Sequence, residues 1–163
     1  MQEWTTKIFL PDPEAATRLG QRFAPLLSAG DCLLLSGSIG AGKSHFARAI
    51  IQARLSAAGR NEDVPSPTFT LVQTYYDGQE EIWHSDLYRL ADSSEVEELG
   101  LTEAFSTAIT LVEWPDRLGG LEPAGALYLL FETDPKKEGR WLSFSSNSQG
   151  WRSRIEDLLQ RRR

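Results

Sequence analysis

The chain has 163 residues, enough for one domain with a sizeable core, and a net charge of −6 from 17 Lys and Arg against 23 Asp and Glu, which argues against a broad electrostatic grip on DNA or RNA. No run approaches the roughly 18 apolar residues of a membrane span, the stretch MQEWTTKIFL has no basic segment ahead of an apolar one, and the single Cys32 has no internal disulfide partner. The expectation is a cytoplasmic protein, residues 1–163 forming one domain, that touches neither membrane nor DNA.

Residues 4–10, WTTKIFL, read as a first strand. Asp12 followed by Pro13 reads as the N-cap and first residue of a helix carrying Ala16, Leu19 and Phe23. The continuous apolar run Cys32, Leu33, Leu34, Leu35 suits a strand buried on both faces, with Cys32 a small core residue.

Directly after it comes GSIGAGKS, residues 37–44, which fits the pattern G, any four, G, K, then S or T. Such a loop turns its backbone amides around a polyphosphate. Gly37, Gly40 and Gly42 let the backbone turn tightly and come close to the anion, with Ser38, Ile39 and Ala41 completing the cradle. Lys43 supplies a point charge to the β- and γ-phosphates, Ser44 a hydroxyl to Mg²⁺, and the following helix aims its positive end at the phosphates. Phe46, Ile50 and Ala53 recur at helical spacing, and Gly59 stands where that helix would stop. Apolar strand, loop and helix occur in the order that a nucleotide site requires.

The segment GRNEDVPSPTFT reads as an exposed loop. TFTLVQTYY and EEIWHSDLY read as two strands, joined at Asp77 and Gly78 by a turn pair that favours a hairpin. SSEVEELGLTEAF reads as one or two short helices broken at Gly100, AITLVEW as a buried strand ending in an acid, and ALYLLFE and RWLSFS as strands flanking the turn DPKKEG. A last helix carries Trp151, Ile155, Leu158 and Leu159, and its terminal RRR reads as a solvated end. This order predicts a three-layer α/β/α domain, similar to the P-loop nucleotide hydrolases, around a mixed sheet. The site is expected at the carboxyl ends of the parallel strands.

Hydrolysis needs acids beside the loop, to hold the metal from a second side and to place water. Glu113 ends its apolar strand and is the first candidate, for Mg²⁺ directly, for Mg²⁺ through water, or for the attacking water. Asp86 in HSDLYRL is the second. His84 shares its strand face, while Trp83 and Ser85 point away. His84 reads equally as a structural or a functional histidine, and Arg89 as solvated. Thr68 and Thr70 could sense a γ-phosphate, and Trp114 could stack on a base or simply pack.

Taken together and in this order, GSIGAGKS, PSPTFTLV, HSDLYRL, EELGL and VEWPDRL resemble the bacterial TsaE (YjeE) family, over roughly residues 30 to 120. The resemblance implies an ATPase that binds ATP or ADP with Mg²⁺ and works with TsaB and TsaD in making threonylcarbamoyl adenosine next to the anticodon of certain tRNAs, the tRNA being met indirectly. By motif match Lys43 and Ser44 hold phosphate and Mg²⁺, Glu113 is the acid near the metal, Asp86 is the essential acid of HSDLYRL, and Trp114 lies near the nucleotide. Family members usually carry two threonines after the lysine. Here Ser44 keeps the metal hydroxyl, and His45 keeps only a backbone amide for the α-phosphate. A small kinase that uses Arg89 and Arg117 on the transferred phosphate is the alternative, although no arginine-rich lid segment occurs. A GTPase is weaker still: DRLG at 116–119 matches D-x-x-G, but no N-K-x-D selects guanine.

Overall fold

The computed structural model describes residues 4–38 and 40–160. Ile39 in the phosphate loop and the arginines at 161–163 lie outside the described residues.

The strands are β1 (Trp4–Leu10), β2 (Cys32–Gly37), β3 (Val72–Tyr76), β4 (Glu81–Asp86), β5 (Ile109–Glu113), β6 (Leu127–Thr133) and β7 (Arg140–Ser146). They form one mixed sheet in the order β1-β7-β6-β2-β5-β4-β3. Its centre is parallel, β6 and β5 flanking β2 and β4 pairing with β5, while β1–β7, β6–β7 and β3–β4 are antiparallel. The helices are α1 (Pro13–Phe23), α2 (Lys43–Ala57), α3 (Ser94–Glu98), α4 (Leu101–Thr107) and α5 (Gln149–Gln160), with 3₁₀ turns at Ala24–Leu26 and Pro115–Leu118.

Side chains alternate across the sheet and separate two apolar layers. Leu33 and Leu35 of β2, with Ile109 and Leu111 of β5, pack with Phe23 of α1, Phe46 and Ile50 of α2, and Trp151 and Ile155 of α5. Cys32, Leu34 and Val112 face the other way, onto Val96 of α3 and Leu101 and Phe105 of α4. Helices therefore cover both faces, and the chain has the expected three-layer α/β/α architecture.

Local chemistry places the elements. Asp12 caps α1 by accepting from Ala15 N at 2.8 Å, and Pro13 opens the helix. Gly59, at φ 72°, follows the end of α2, where Arg60 N reaches back to Leu55 O at 2.8 Å. Gly100, at φ 88°, separates α3 from α4. The hairpin forms, but its strands are shorter than their patterns predict. Leu71 has φ 70°, and its amide donates to Pro67 O at 2.8 Å, so residues 68–71 make a turn and β3 starts only at Val72. β4 ends at Asp86, whose amide donates to Leu71 O at 3.0 Å.

Candidate functional site

Register brings the acids to one edge. Glu113, the last residue of β5, is level with Leu35 of β2 and with Asp86, the last residue of β4. Neighbours in a parallel ladder present their side chains to the same face, and here that face carries α2. The phosphate loop leaves β2 at that edge, so Lys43 and Ser44, at the start of α2, arrive over Glu113.

The loop needs its glycines. Gly37 has φ 140°, and a Cβ there would stand 2.5 Å from the Phe131 carbonyl oxygen of the neighbouring strand. Gly42, at φ 111°, is the N-cap of α2.

A cavity of about 450 Å³ opens beside the loop, lined by Ser38, Gly40–His45, Thr68, Asp86, Tyr88, Glu113 and Trp114. Lys43 is buried at its edge. Its Nζ donates to the carbonyls of Gly37 and, at 3.2 Å, Ser38, and stands 4.0 Å above the Trp114 ring. Burial pulls the Lys43 ammonium below its ordinary pKa, against the opposing pull of Glu113, Asp86 and Asp116.

Ser44 Oγ lies 2.8 and 2.9 Å from the two Glu113 carboxylate oxygens, and Oε2 also meets His84 Nε2 at 2.7 Å. Asp86 accepts from Thr68 Oγ1 at 3.2 Å and from the Tyr88 amide at 3.0 Å. Trp114 sits in the left-handed region at φ 59°, its ring 4.9 Å from that of Tyr88, so the strand ends abruptly and its next side chain is thrown over the cavity.

A serine hydroxyl and a carboxylate in contact form an all-oxygen donor set that suits Mg²⁺, which commonly takes one or two carboxylates and completes its shell with phosphate and water. Among the described residues no group of three or more His, Cys, Asp or Glu is arranged to hold a metal without such help.

A profile of the family described as "Threonylcarbamoyl adenosine biosynthesis protein TsaE" matches residues 10–141. The chain belongs to the TsaE family. Its relatives include proteins named tRNA threonylcarbamoyladenosine biosynthesis protein TsaE. That from Rickettsia bellii is 39% identical over 76% of this chain and 83% of its own; that from Synechocystis sp. is 40% identical over 72% and 75%. That from Haemophilus influenzae is 36% identical over 71% and 74%. The crystal structure of Bacillus subtilus YdiB superposes with a TM-score of 0.79, covering 98% of this chain and 97% of that one at 24% identity, a likeness of fold.

Against the TsaE motifs, Lys43, Ser44, Asp86, Glu113 and Trp114 converge on one cavity, whereas Arg89 and Arg117 do not line it. Arg89 is exposed and lies 5.0 Å over the ring of Phe69; Arg117 donates weakly to Leu90 O at 3.4 Å. Thr68 reaches Asp86, while Thr70 Oγ1 accepts from Gln73 at the surface. His45 turns its ring from the loop toward α1, with Nε2 2.8 Å from Thr17 Oγ1 and 3.2 Å from Pro13 O. One contact had no signal in the sequence: Arg140 of β7 donates to Gly40 O at 3.2 Å. An arginine 100 positions away reaches the loop only because β7 pairs beside β6.

Proposed function

We propose that this TsaE family member binds ATP and ADP with Mg²⁺ in the cavity at Gly37–Ser44 and hydrolyses ATP to ADP and phosphate. It would do so as the nucleotide-using component of tRNA threonylcarbamoyladenosine formation, together with TsaB and TsaD. The whole of residues 1–163 serves as one such domain, acting in the cytoplasm and meeting tRNA through its partners. The names of its relatives support the pathway. The observation that carries the chemistry is the Ser44 hydroxyl resting on the Glu113 carboxylate beside a glycine-built phosphate loop.

The residues divide the labour. Loop amides cradle the phosphates, with the start of α2 behind them. Lys43 exchanges the Gly37 and Ser38 carbonyls for phosphate oxygens, and the Trp114 ring keeps the ammonium within reach. Ser44, with Glu113 directly or through water, would hold Mg²⁺, which when bound neutralises charge gathering on the β- and γ-phosphates. Asp86, linked to Thr68 of the preceding turn, orients water or the metal shell and ties the site to the PSPTFT segment. Trp114 lies against the nucleotide. The kinase reading finds less support, because neither arginine it would use lines the cavity.

Among the described residues no arginine side chain lines this cavity as a finger for the transferred phosphate, so hydrolysis by the chain alone is expected to be slow, and a group supplied by a partner can add roughly 10³- to 10⁵-fold. Phosphate release should be weak alone, clearly stimulated when TsaB and TsaD are both present, and lost in that assembly with Asp86→Asn. Fast release by the lone protein, unchanged by the partners, would overturn this reading, and transfer of phosphate to a small acceptor would favour a kinase.

A further inference from the structure

We infer that His84 is a positioning residue for the Glu113 carboxylate. The inference rests on the proposed hydrolytic role of Glu113 and extends it to the strand beside it.

His84 is completely buried, on the β4 face that turns toward α2. A histidine kept only for packing normally satisfies its ring nitrogens with backbone or water. Here Nε2 lies 2.7 Å from Glu113 Oε2, and Nδ1 is buried with no hydrogen-bond partner among the described residues. A carboxylate only accepts, so the proton in that contact sits on Nε2 and the ring donates. The hydrogen bond that the buried ring makes among the described residues goes to the acid.

The Ser44 contact explains what this adds. Its hydroxyl is nearly equidistant from both oxygens of Glu113, at 2.8 and 2.9 Å, and has one proton to share, so it leaves the two oxygens equivalent. His84 removes the equivalence. Oε2 is tethered to β4, while Oε1 has only the Ser44 contact among the described residues and stays available to the cavity. Because Asp86 follows His84 by two residues on the same face, β4 presents one acid and aims the other.

Three variants separate positioning from packing. His84→Gln places an amide N–H near the position of Nε2, His84→Asn places it near Nδ1, and His84→Leu fills space without a donor. With ADP affinity in the absence of Mg²⁺ within about threefold of wild type throughout, phosphate release should fall roughly 10- to 100-fold in His84→Asn and His84→Leu and return to within a few-fold in His84→Gln. The gain in ADP affinity on adding Mg²⁺ should shrink in the same order, a readout that needs no turnover. If any of the three variants melts below the assay temperature, the wild-type ring decides: the chain has 2 histidines, so long-range ¹H–¹⁵N spectra, assigned with His45→Gln, report its tautomer. A proton on Nε2 supports the inference and a bare Nε2 overturns it. Wild-type release no greater than that of Glu113→Gln would defeat the hydrolytic reading itself. An active wild type matched by His84→Asn and His84→Leu, with an undiminished Mg²⁺ gain, would defeat the positioning role alone.

Discussion

Two regions on one face of the sheet bury opposite chemistry. Around Phe23 the interior is rings and aliphatic chains: Phe46 at 5.8 Å, Phe144 at 6.1 Å and Trp151 at 6.4 Å between centroids. At the ends of β4 and β5 it is charged and polar. Lys43, His84, Asp86 and Glu113 are all buried there. The first region stabilises by removing apolar surface from water. The second gives up part of that gain and holds its groups in place with hydrogen bonds between Ser44, Glu113 and His84. Fold stability and proposed chemistry should therefore respond to different substitutions.

The sharpest break in that division would come from Phe23→Ala. It empties a ring-sized space among three aromatic neighbours, and about 3–5 kcal/mol of unfolding free energy should be lost, read by denaturant titration. Phosphate release per folded molecule should stay within a few-fold, and a large loss there would mean that the two regions are not separable. Glu113→Gln is the complementary case. It keeps the side chain's shape but removes a charge facing Ser44, so turnover should drop about 10²-fold or more while ADP binding is spared and the melting temperature moves far less than in Phe23→Ala. Wild-type turnover in this variant would remove Glu113 from the chemistry. The smallest effect concerns Cys32, whose thiol burial pushes up to about 12. At pH 8 a thiol reagent should leave the native protein unlabelled and react only in denaturant, whereas rapid native labelling would show the β2 layer opening.

Much of this division was legible in the sequence, where local chemistry decides. The Asp12–Pro13 cap, the apolar run before GSIGAGKS and the break at Gly100 each depend on residues close in the chain. Glu113 was readable because the apolar run ITLV ends in it, which places the acid at the end of β5. What escaped depended on distant partners or on backbone geometry that side-chain patterns do not encode. Leu71, with β-like neighbours, adopts a left-handed turn and shortens β3. Asp77 reads as a turn residue, and its Oδ1 does accept the Gln79 and Glu80 amides, but it also anchors Arg54 at 2.8 Å, a partner 23 positions away. Strand alternation put His84 on the face of Asp86, but only the β4–β5 register could identify Glu113 as its partner. The side chain of His45 likewise meets a distant partner, Thr17 of α1, 28 positions away.

If a nucleotide's phosphates occupy the cradle beneath Lys43, calorimetric titration of ATP with Mg²⁺ into wild type and Lys43→Ala will separate the two. Wild type should bind clearly, GTP should bind distinctly more weakly, and Lys43→Ala should lose roughly 10- to 100-fold, because one charged partner is removed from a partly desolvated site. Equal affinity in Lys43→Ala, or no ATP binding by the wild-type chain, would contradict it.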